Sequence, residues 1–467
     1  SLHANVFSDG GNIIDSINSQ LFEKLPKSAK IILSIFGDEE ILKQIETKNI
    51  AAIILGKENN TIAQNRVSQA IFGALSISGK TNKEIITKDQ KYASDYGLKT
   101  LRNGRLKLSQ AEEIGIDSQK LMEIDRIALN GILDGAYPGC QILVAVDNQI
   151  IYRKSFGNQT HEKDATKVEN DDVYDIASIT KIAASTLLAM HLQAQDNFSL
   201  NKKLNDFIPE LTVKTEYGEI GLREMMAHQA GLTAWIPFYK RTIKNSVLNP
   251  IIYNNSKSGM FNLQVAESIF MNASYVDSMY SQILASPLGT RKYLYSDLCY
   301  YFLQKILEKQ INSKQDEYLR KNIYEPMGLR FARYLPLNYF PKTKIIPTEN
   351  DLIFRKQLIH GHVHDPGAAM LGGVAGHAGL FCNATDLASI MNLFLLKGKY
   401  AGMTFFDEKT VSEYTKAQFS GNRRGAGFDR PNLNGGGTCD ILASQESFGH
   451  SGFTGTLAWA DPKDKVI

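Results

Sequence analysis

Ser178 and Lys181 stand three residues apart in Tyr174-Asp175-Ile176-Ala177-Ser178-Ile179-Thr180-Lys181-Ile182-Ala183-Ala184-Ser185. Ile182, Leu187, Leu188 and Met190 follow at helical spacing, with no Gly or Pro before Asn197, so the stretch reads as a helix. Positions i and i+3 share a helix face, which brings the lysine ammonium to the serine hydroxyl. A serine in a first helical turn also meets the positive end of the helix dipole, which favours developing negative charge. Burial among apolar neighbours is expected to lower the Lys181 pKa and make it a general base for a Ser178 nucleophile. A capping serine beside a surface lysine is the other reading of the same pair.

Two further clusters carry candidate chemistry. Tyr293-Leu294-Tyr295-Ser296-Asp297-Leu298 precedes an apolar helix bearing Leu298, Phe302, Ile306 and Leu307. A tyrosine on such a loop can aim its phenol into a cleft and relay a proton beside a lysine. A partly buried structural tyrosine is the alternative. Ser447-Phe448-Gly449-His450-Ser451-Gly452-Phe453-Thr454-Gly455-Thr456 reads as an exposed turn entering a strand at 454–460. Its glycines would let a substrate backbone lie along the strand edge. An outward N–H there would join the N–H of Ser178 in holding an oxyanion, and His450 would supply a titratable donor.

Two other stretches look chemical and are set aside. His360-Gly361-His362-Val363-His364-Asp365 would place alternate imidazoles on one face of a strand. No fourth ligand or enclosing pattern accompanies them, so no metal is expected. Gly73-Ala74-Leu75-Ser76-Ile77-Ser78-Gly79-Lys80-Thr81 fails as a phosphate loop: five residues separate the glycines where four are needed, and a helix precedes it where a strand is required. No cofactor is expected.

The elements that must position these groups can be read along the chain. Residues 30–36 and 50–55 are short apolar runs ended by Gly37 and Gly56, as suits buried parallel strands, with a helix-like segment at 39–45 between them and a helix at 61–75 after them. Residues 1–90 thus form a partial α/β domain, and the polar stretch 91–112 fits a linker. A helix then begins near Ser118, with Leu121, Ile124, Ile127, Ala128 and Ile132 as its stripe, followed by strands at 141–146 and 149–155 turned at Asp147-Asn148. The polar region 240–290 reads either as a substrate-contacting lid or as a structural excursion. Net charge is only +3, which points to neither nucleic acid nor an anionic membrane surface. No apolar run approaches the ~18 residues that cross a bilayer. Cys140, Cys299, Cys382 and Cys439 are dispersed and form no Cys-x-x-Cys pair.

In this order, Ser178-x-x-Lys181, Tyr295-Ser296-Asp297 and His450-Ser451-Gly452 resemble the three motifs of the penicillin-recognising serine hydrolases, which include class C β-lactamases, D-Ala-D-Ala peptidases and related esterases and amidases. Met225-Met226-Ala227-His228-Gln229-Ala230-Gly231-Leu232 resembles the family's His-Thr-Ser-Gly-Leu segment, and Gly376-His377-Ala378-Gly379-Leu380-Phe381 its turn before a helix. The resemblance implies that residues 113–467 form a β-lactamase/transpeptidase-like domain, an antiparallel sheet flanked by helices plus an all-helical subdomain. It implies Ser178 as nucleophile, Lys181 and Tyr295 as handlers of its proton, and the N–H groups of Ser178 and Phe453 as the oxyanion hole. His450 then positions a substrate carboxylate or the tyrosine, and Asp297, Ser451, Gly452 and Thr454 contact substrate.

Two departures stand out: Asp297 where Asn is commoner, and His450 where the lactamases have Lys. A negative Asp297 would raise the Lys181 pKa. Val363-His364-Asp365 with Leu371-Gly372-Gly373-Val374-Ala375-Gly376-His377 resembles a subgroup that includes exported N-acetylmuramyl-L-alanine amidases of cell-wall recycling. Gln69-Ala70-Ile71-Phe72-Gly73-Ala74-Leu75-Ser76-Ile77-Ser78-Gly79-Lys80 resembles the end of the second domain of family 3 glycoside hydrolases, whose barrel the chain lacks, so the chain reads as the tail of a longer fusion. These resemblances imply an exported, periplasmic serine hydrolase acting on amide bonds of peptidoglycan fragments, with a muropeptide or small-molecule substrate and a glycosidase region upstream. The alternatives are a carboxylesterase, a weak β-lactamase, or a wall-binding module whose Asp297 silences the lysine. Export rests on the resemblance, since no signal peptide is visible at Ser1. Pro462-Lys463-Asp464 reads as a turn into a returning strand, and the natural protein is expected to continue beyond Ile467.

Overall fold

The computed structural model describes residue 26 and residues 28–432 and 434–467. The first 25 residues of the stretch read as a family 3 tail lie outside them. The chain forms two units, Ser1–Leu108 and Ser109–Ile467.

In the first unit, strands Ile31–Ile35 and Ile50–Leu55 pair in parallel, as their apolar runs suggest. The Glu39–Gln44 3₁₀ turn lies between them, capped by Asp38, and helix Thr61–Ile71 follows, capped by Asn60. Leu33, Ile35, Leu42, Ile45 and Ile85 make a small core. Ile50–Leu55 is only half-buried, because a two-stranded sheet cannot sandwich it as a wide parallel sheet would. Residues 91–108, expected to belong to a linker, fold back instead. Lys91–Tyr92 pairs with Ile85–Ile86, and the N–H groups of Thr100 and Asn103 donate to Ile77 and Gly73 carbonyls.

The second unit combines helices with an antiparallel sheet, the architecture that the three motifs imply. Gly139–Val146 pairs with Gln149–Gly157, and Phe448–Gly452 with Thr456–Ala460. Val466 bridges both Val146 and Asp461, so it joins the two pairs, and Ile467 exchanges backbone hydrogen bonds with Ala145. Helix Ser118–Leu133 packs on Gln149–Gly157, and helix Ala384–Leu395 packs on Gly139–Val146 and Thr456–Ala460.

The serine-bearing segment runs through this core. Residues Lys181–Thr186 form a π-helical turn that continues as helix Leu187–Gln193. Every residue from Ile179 to Met190 is buried, the polar Thr180, Lys181, Ser185 and Thr186 among them, so the segment is an interior helix. Helix Leu298–Ile311 packs beside it. Residues 243–284 are ordered as a short hairpin, a three-stranded sheet of Tyr253–Asn254, Ile269–Asn272 and Phe261–Ala266, and helix Tyr275–Leu284. This sheet packs on helix Pro366–Met370. All four cysteines are free thiols.

Candidate active site

Ser178 follows a strained residue. Ala177 has φ +44°, a left-handed conformation that alanine adopts only under constraint. The constraint is Asp175, whose carboxylate accepts the Ala177 N–H at 2.9 Å and the His364 N–H at 2.6 Å. Full burial raises the Asp175 pKa even against these two bonds. The turn leaves Ser178 partly open on an otherwise buried segment.

Ser178 Oγ accepts from Lys181 Nζ at 2.8 Å and from Tyr295 Oη at 3.1 Å. The structure therefore brings together the serine, lysine and tyrosine singled out by sequence. Lys181 is fully buried and also donates to the His377 carbonyl at 3.2 Å. Its pKa runs against the first expectation. Burial does disfavour the ammonium, but the Asp297 carboxylate at 2.7 Å and the nearby Tyr295 outweigh it, and the pKa is raised. The contact with Asp297 is ionic: Oδ1 makes no aligned hydrogen bond. In the resting site Lys181 is thus an ammonium that donates to Ser178. Asp297, expected at the substrate, is held against Lys181.

The third motif differs in form from the expected exposed turn. Phe448–Gly452 is itself a strand, and His450 is only 2% exposed. Burial, with the Arg424 and Lys181 cations nearby, holds the His450 pKa well below the usual imidazole value, so it is neutral. Its Nδ1–H donates to the Ser451 carbonyl at 2.7 Å, and its ring lies 5.9 Å from that of Tyr295. The Gly452 hydrogen faces the serine loop: a Cβ there would lie 2.5 Å from the Ile176 carbonyl and 2.1 Å from Thr456 Oγ1. Glycine here permits close approach of strand and loop, a different service from leaving room for substrate. Thr454 donates its hydroxyl to the Asp175 carbonyl at 2.7 Å, and Thr456 to that of Ile176 at 3.2 Å. These bonds tie the turn bearing Phe453 to the loop bearing Ser178, so the two candidate oxyanion N–H groups sit on adjoining segments. The Phe453 side chain is 85% exposed and meets the His364 ring at 5.3 Å. Ser451 and Gly452 are half-buried at the end of the strand.

The histidines at 360–364 do not share a face, because the strand Gln357–Ile359 ends before them. His360 Nε2 faces the Lys342 and Ile345 carbonyls, while His364 Nε2 lies 3.2 Å from Glu349. Among the described residues, the group whose ligand atoms do converge is Glu169, Asp171 and Asp172. Lys344 pairs with all three.

Sequence reasoning passed over three residues. Asp175 was invisible because its role depends on His364, far along the chain. Arg424, 5% exposed, lies 5.3 Å from the Tyr295 ring and donates to Tyr293 Oη at 3.3 Å; nothing in its neighbourhood singles it out. His377 had a signal in the Gly376-His377 turn, and its function is now specific. Its Nε2 meets Asp365 Oδ1 at 2.8 Å, which fixes the backbone whose carbonyl receives Lys181. Burial works against the Asp365 carboxylate, but His377 and the Ala368 N–H hold its pKa well below normal.

Comparison with known proteins fits this geometry. The beta-lactamase family model matches residues 119–467. A Salmonella gallinarum protein, provisionally named a D-alanyl-D-alanine carboxypeptidase, is 29% identical over 387 residues, covering 76% of this chain and 83% of its own. Among solved structures, a penicillin-binding protein homologue from Caulobacter crescentus has TM-score 0.53 at 18% identity, covering 73% of this chain and 88% of that one. EstCE1, described as a hydrolase with promiscuous acyltransferase activity, has TM-score 0.56 at 17% identity, covering 73% and 90%. At these identities the two structures establish the shared fold. The chain belongs to the beta-lactamase family and is a serine hydrolase of the beta-lactamase and penicillin-binding protein superfamily.

Proposed function

We propose that this hydrolase acts through an acyl-enzyme on amide bonds of peptidoglycan fragments, as a D-Ala peptidase or muramyl-peptide amidase. The observation that carries the chemistry is Ser178 Oγ held between Lys181 Nζ at 2.8 Å and Tyr295 Oη at 3.1 Å. Ser178 attacks the substrate carbonyl. Lys181, already an ammonium, has no room for another proton, so Tyr295 works as a shuttle: it swings its own hydroxyl proton from Ser178 to the leaving nitrogen as it accepts the serine proton, one proton in and one out. The N–H groups of Ser178 and Phe453 hold the oxyanion, and Lys181 stabilises the charge that builds between Ser178 and Tyr295. Water then attacks the acyl-enzyme by the same relay and frees Ser178.

The substrate class is supported by the carboxypeptidase name of the Salmonella relative and by the neutral, buried His450, which is unlike a lactamase lysine. The same reading makes the protein an exported, periplasmic one. It takes residues 1–90 as the end of a family 3 glycoside hydrolase domain, which pairs a glycosidase region with an amidase in one polypeptide.

Labelling with a fluorophosphonate or fluorescent penicillin tests the mechanism. Label is expected on the native protein and absent from Ser178→Ala. A folded native protein that takes neither reagent would favour the non-catalytic wall-binding module. Muropeptides, D-Ala-D-Ala peptides and short-chain esters, compared by kcat/KM, then test the substrate. Highest turnover on esters would overturn the peptidoglycan assignment and leave the serine mechanism intact.

A further inference from the structure

We infer that His228 is a positioning residue for Tyr295, a clamp that holds the phenol at Ser178. The inference rests on the acyl-enzyme reading above.

Tyr295 sits on a loop, and a loop phenol needs external fixing to keep a 3.1 Å contact. His228 supplies it from both sides. Its carbonyl accepts the Leu294 N–H at 2.9 Å, and its Nδ1 accepts the Ser296 N–H at 3.1 Å. The two neighbours of Tyr295 are thus bound to one residue. Between these bonds the imidazole packs on the phenol, with ring centroids 4.4 Å apart and planes inclined by 33°. Among the described residues, no other fixes both sides. Ser296 Oγ and the Asp297 N–H bond to the Thr233 and Ala234 carbonyls, which hold only the far side of the loop.

The backbone is strained to make this arrangement. His228 has φ +54°, and its side chain is 1% exposed. A buried, left-handed, non-glycine residue persists only where its surroundings over-determine it, and such strain collects at functional sites. Because Nδ1 accepts a hydrogen bond, the ring is neutral with its proton on Nε2. Burial, with Arg424 and Lys181 nearby, keeps it neutral, so the acceptor persists as pH falls.

Three variants test the clamp. His228→Gly removes ring and acceptor while relieving the backbone strain. His228→Asn keeps an acceptor near the Nδ1 position and tolerates a left-handed φ. Tyr295→Phe removes the hydroxyl that the clamp serves. Ester and D-Ala-D-Ala peptide hydrolysis are followed, with melting temperature as the check on folding. His228→Gly is expected to lower kcat about 100-fold, as misplacement of a catalytic group does, with KM within about threefold of native. His228→Asn is expected to recover kcat to within about tenfold of native. In the Tyr295→Phe protein, His228→Gly is expected to lower kcat by less than about threefold further, because both changes remove the same interaction. Equal losses in the two backgrounds, or a His228→Asn no better than His228→Gly, would overturn the clamp. If His228→Gly does not fold, the same cycle run with His228→Asn decides. Fluorophosphonate labelling of the native protein at Ser178 keeps failure of the clamp distinct from failure of the acyl-enzyme reading.

Discussion

Asp297 sets the charge of the candidate site. Burial alone would lower the Lys181 pKa, but a carboxylate 2.7 Å away reverses the direction. Asp297→Asn removes that carboxylate and lets burial prevail, so the Lys181 pKa falls. If the ammonium is the working form, the alkaline limb of the kcat/KM profile moves to lower pH in this variant. If neutral Lys181 is the base, the acid limb moves to lower pH instead and activity near neutrality rises. A pH–rate profile of the two proteins separates these, and we expect the first. The pair Ser178 and Lys181 was legible from spacing because i and i+3 geometry is local. The lysine's charge was not, because burial and a carboxylate act on it in opposite directions and the 2.7 Å contact with Asp297 is visible only in the structure.

Elements matter where they touch. The strand Phe448–Gly452 and the loop around Ile176 lie so close that a methyl group at 452 would overlap backbone. Gly452→Ala is therefore expected to push the strand off the serine loop. It should destabilise by about 1–3 kcal/mol, the usual range for overpacking. Because the turn after Gly452 carries the Phe453 N–H, kcat should fall by roughly 10²-fold, as on loss of an oxyanion donor. A drop in melting temperature with unchanged kcat would remove Phe453 from the oxyanion hole. Helix Ser118–Leu133 and the two long strands were legible from their apolar positions and the Asp147-Asn148 turn, although Ile127, placed in the helix's apolar stripe, is 58% exposed and Ala128 is the stripe's buried residue. The strand carrying His450 was not: Gly449 and Gly452 break its alternation, and long-range pairing, with Thr456–Ala460 on one side and Asp429 at Gly449 on the other, makes it a strand. The expected exposed turn at 447–453 and the titratable His450 both miss the structure for that reason: the segment is a strand, and its buried histidine stays neutral. The 91–112 linker misled similarly, because its polar composition hides backbone pairing to residues 73–86.

At the scale of the whole molecule, the fold buries imidazoles that an unfolded chain would leave in water. His228, His362 and His450 all have lowered pKa values, with burial the main cause in each. For His362 the value falls to about 4 from 6.5. A lowered histidine pKa means that, between those two values, the unfolded chain binds a proton that the native protein refuses. Stability is then complete above about pH 6.5 and is lost as pH falls toward 4. At ~1.4 kcal/mol per unit, His362 alone accounts for about 3.5 kcal/mol at most, and the other two act in the same direction. Asp175, Asp316 and Asp386, raised by burial, act in the opposite direction, but their window opens near the ordinary carboxylate value of 3.8 and upward. The histidines should therefore prevail in the upper part of the range, between pH 7 and 5. Both tryptophans, Trp235 and Trp459, lie in the second unit, so their fluorescence follows its unfolding alone. The urea midpoint is expected to fall between pH 7 and 5, and to fall less in His362→Gln. A midpoint that holds or rises over that interval, or a slope that His362→Gln leaves unchanged, would show that the raised carboxylates dominate.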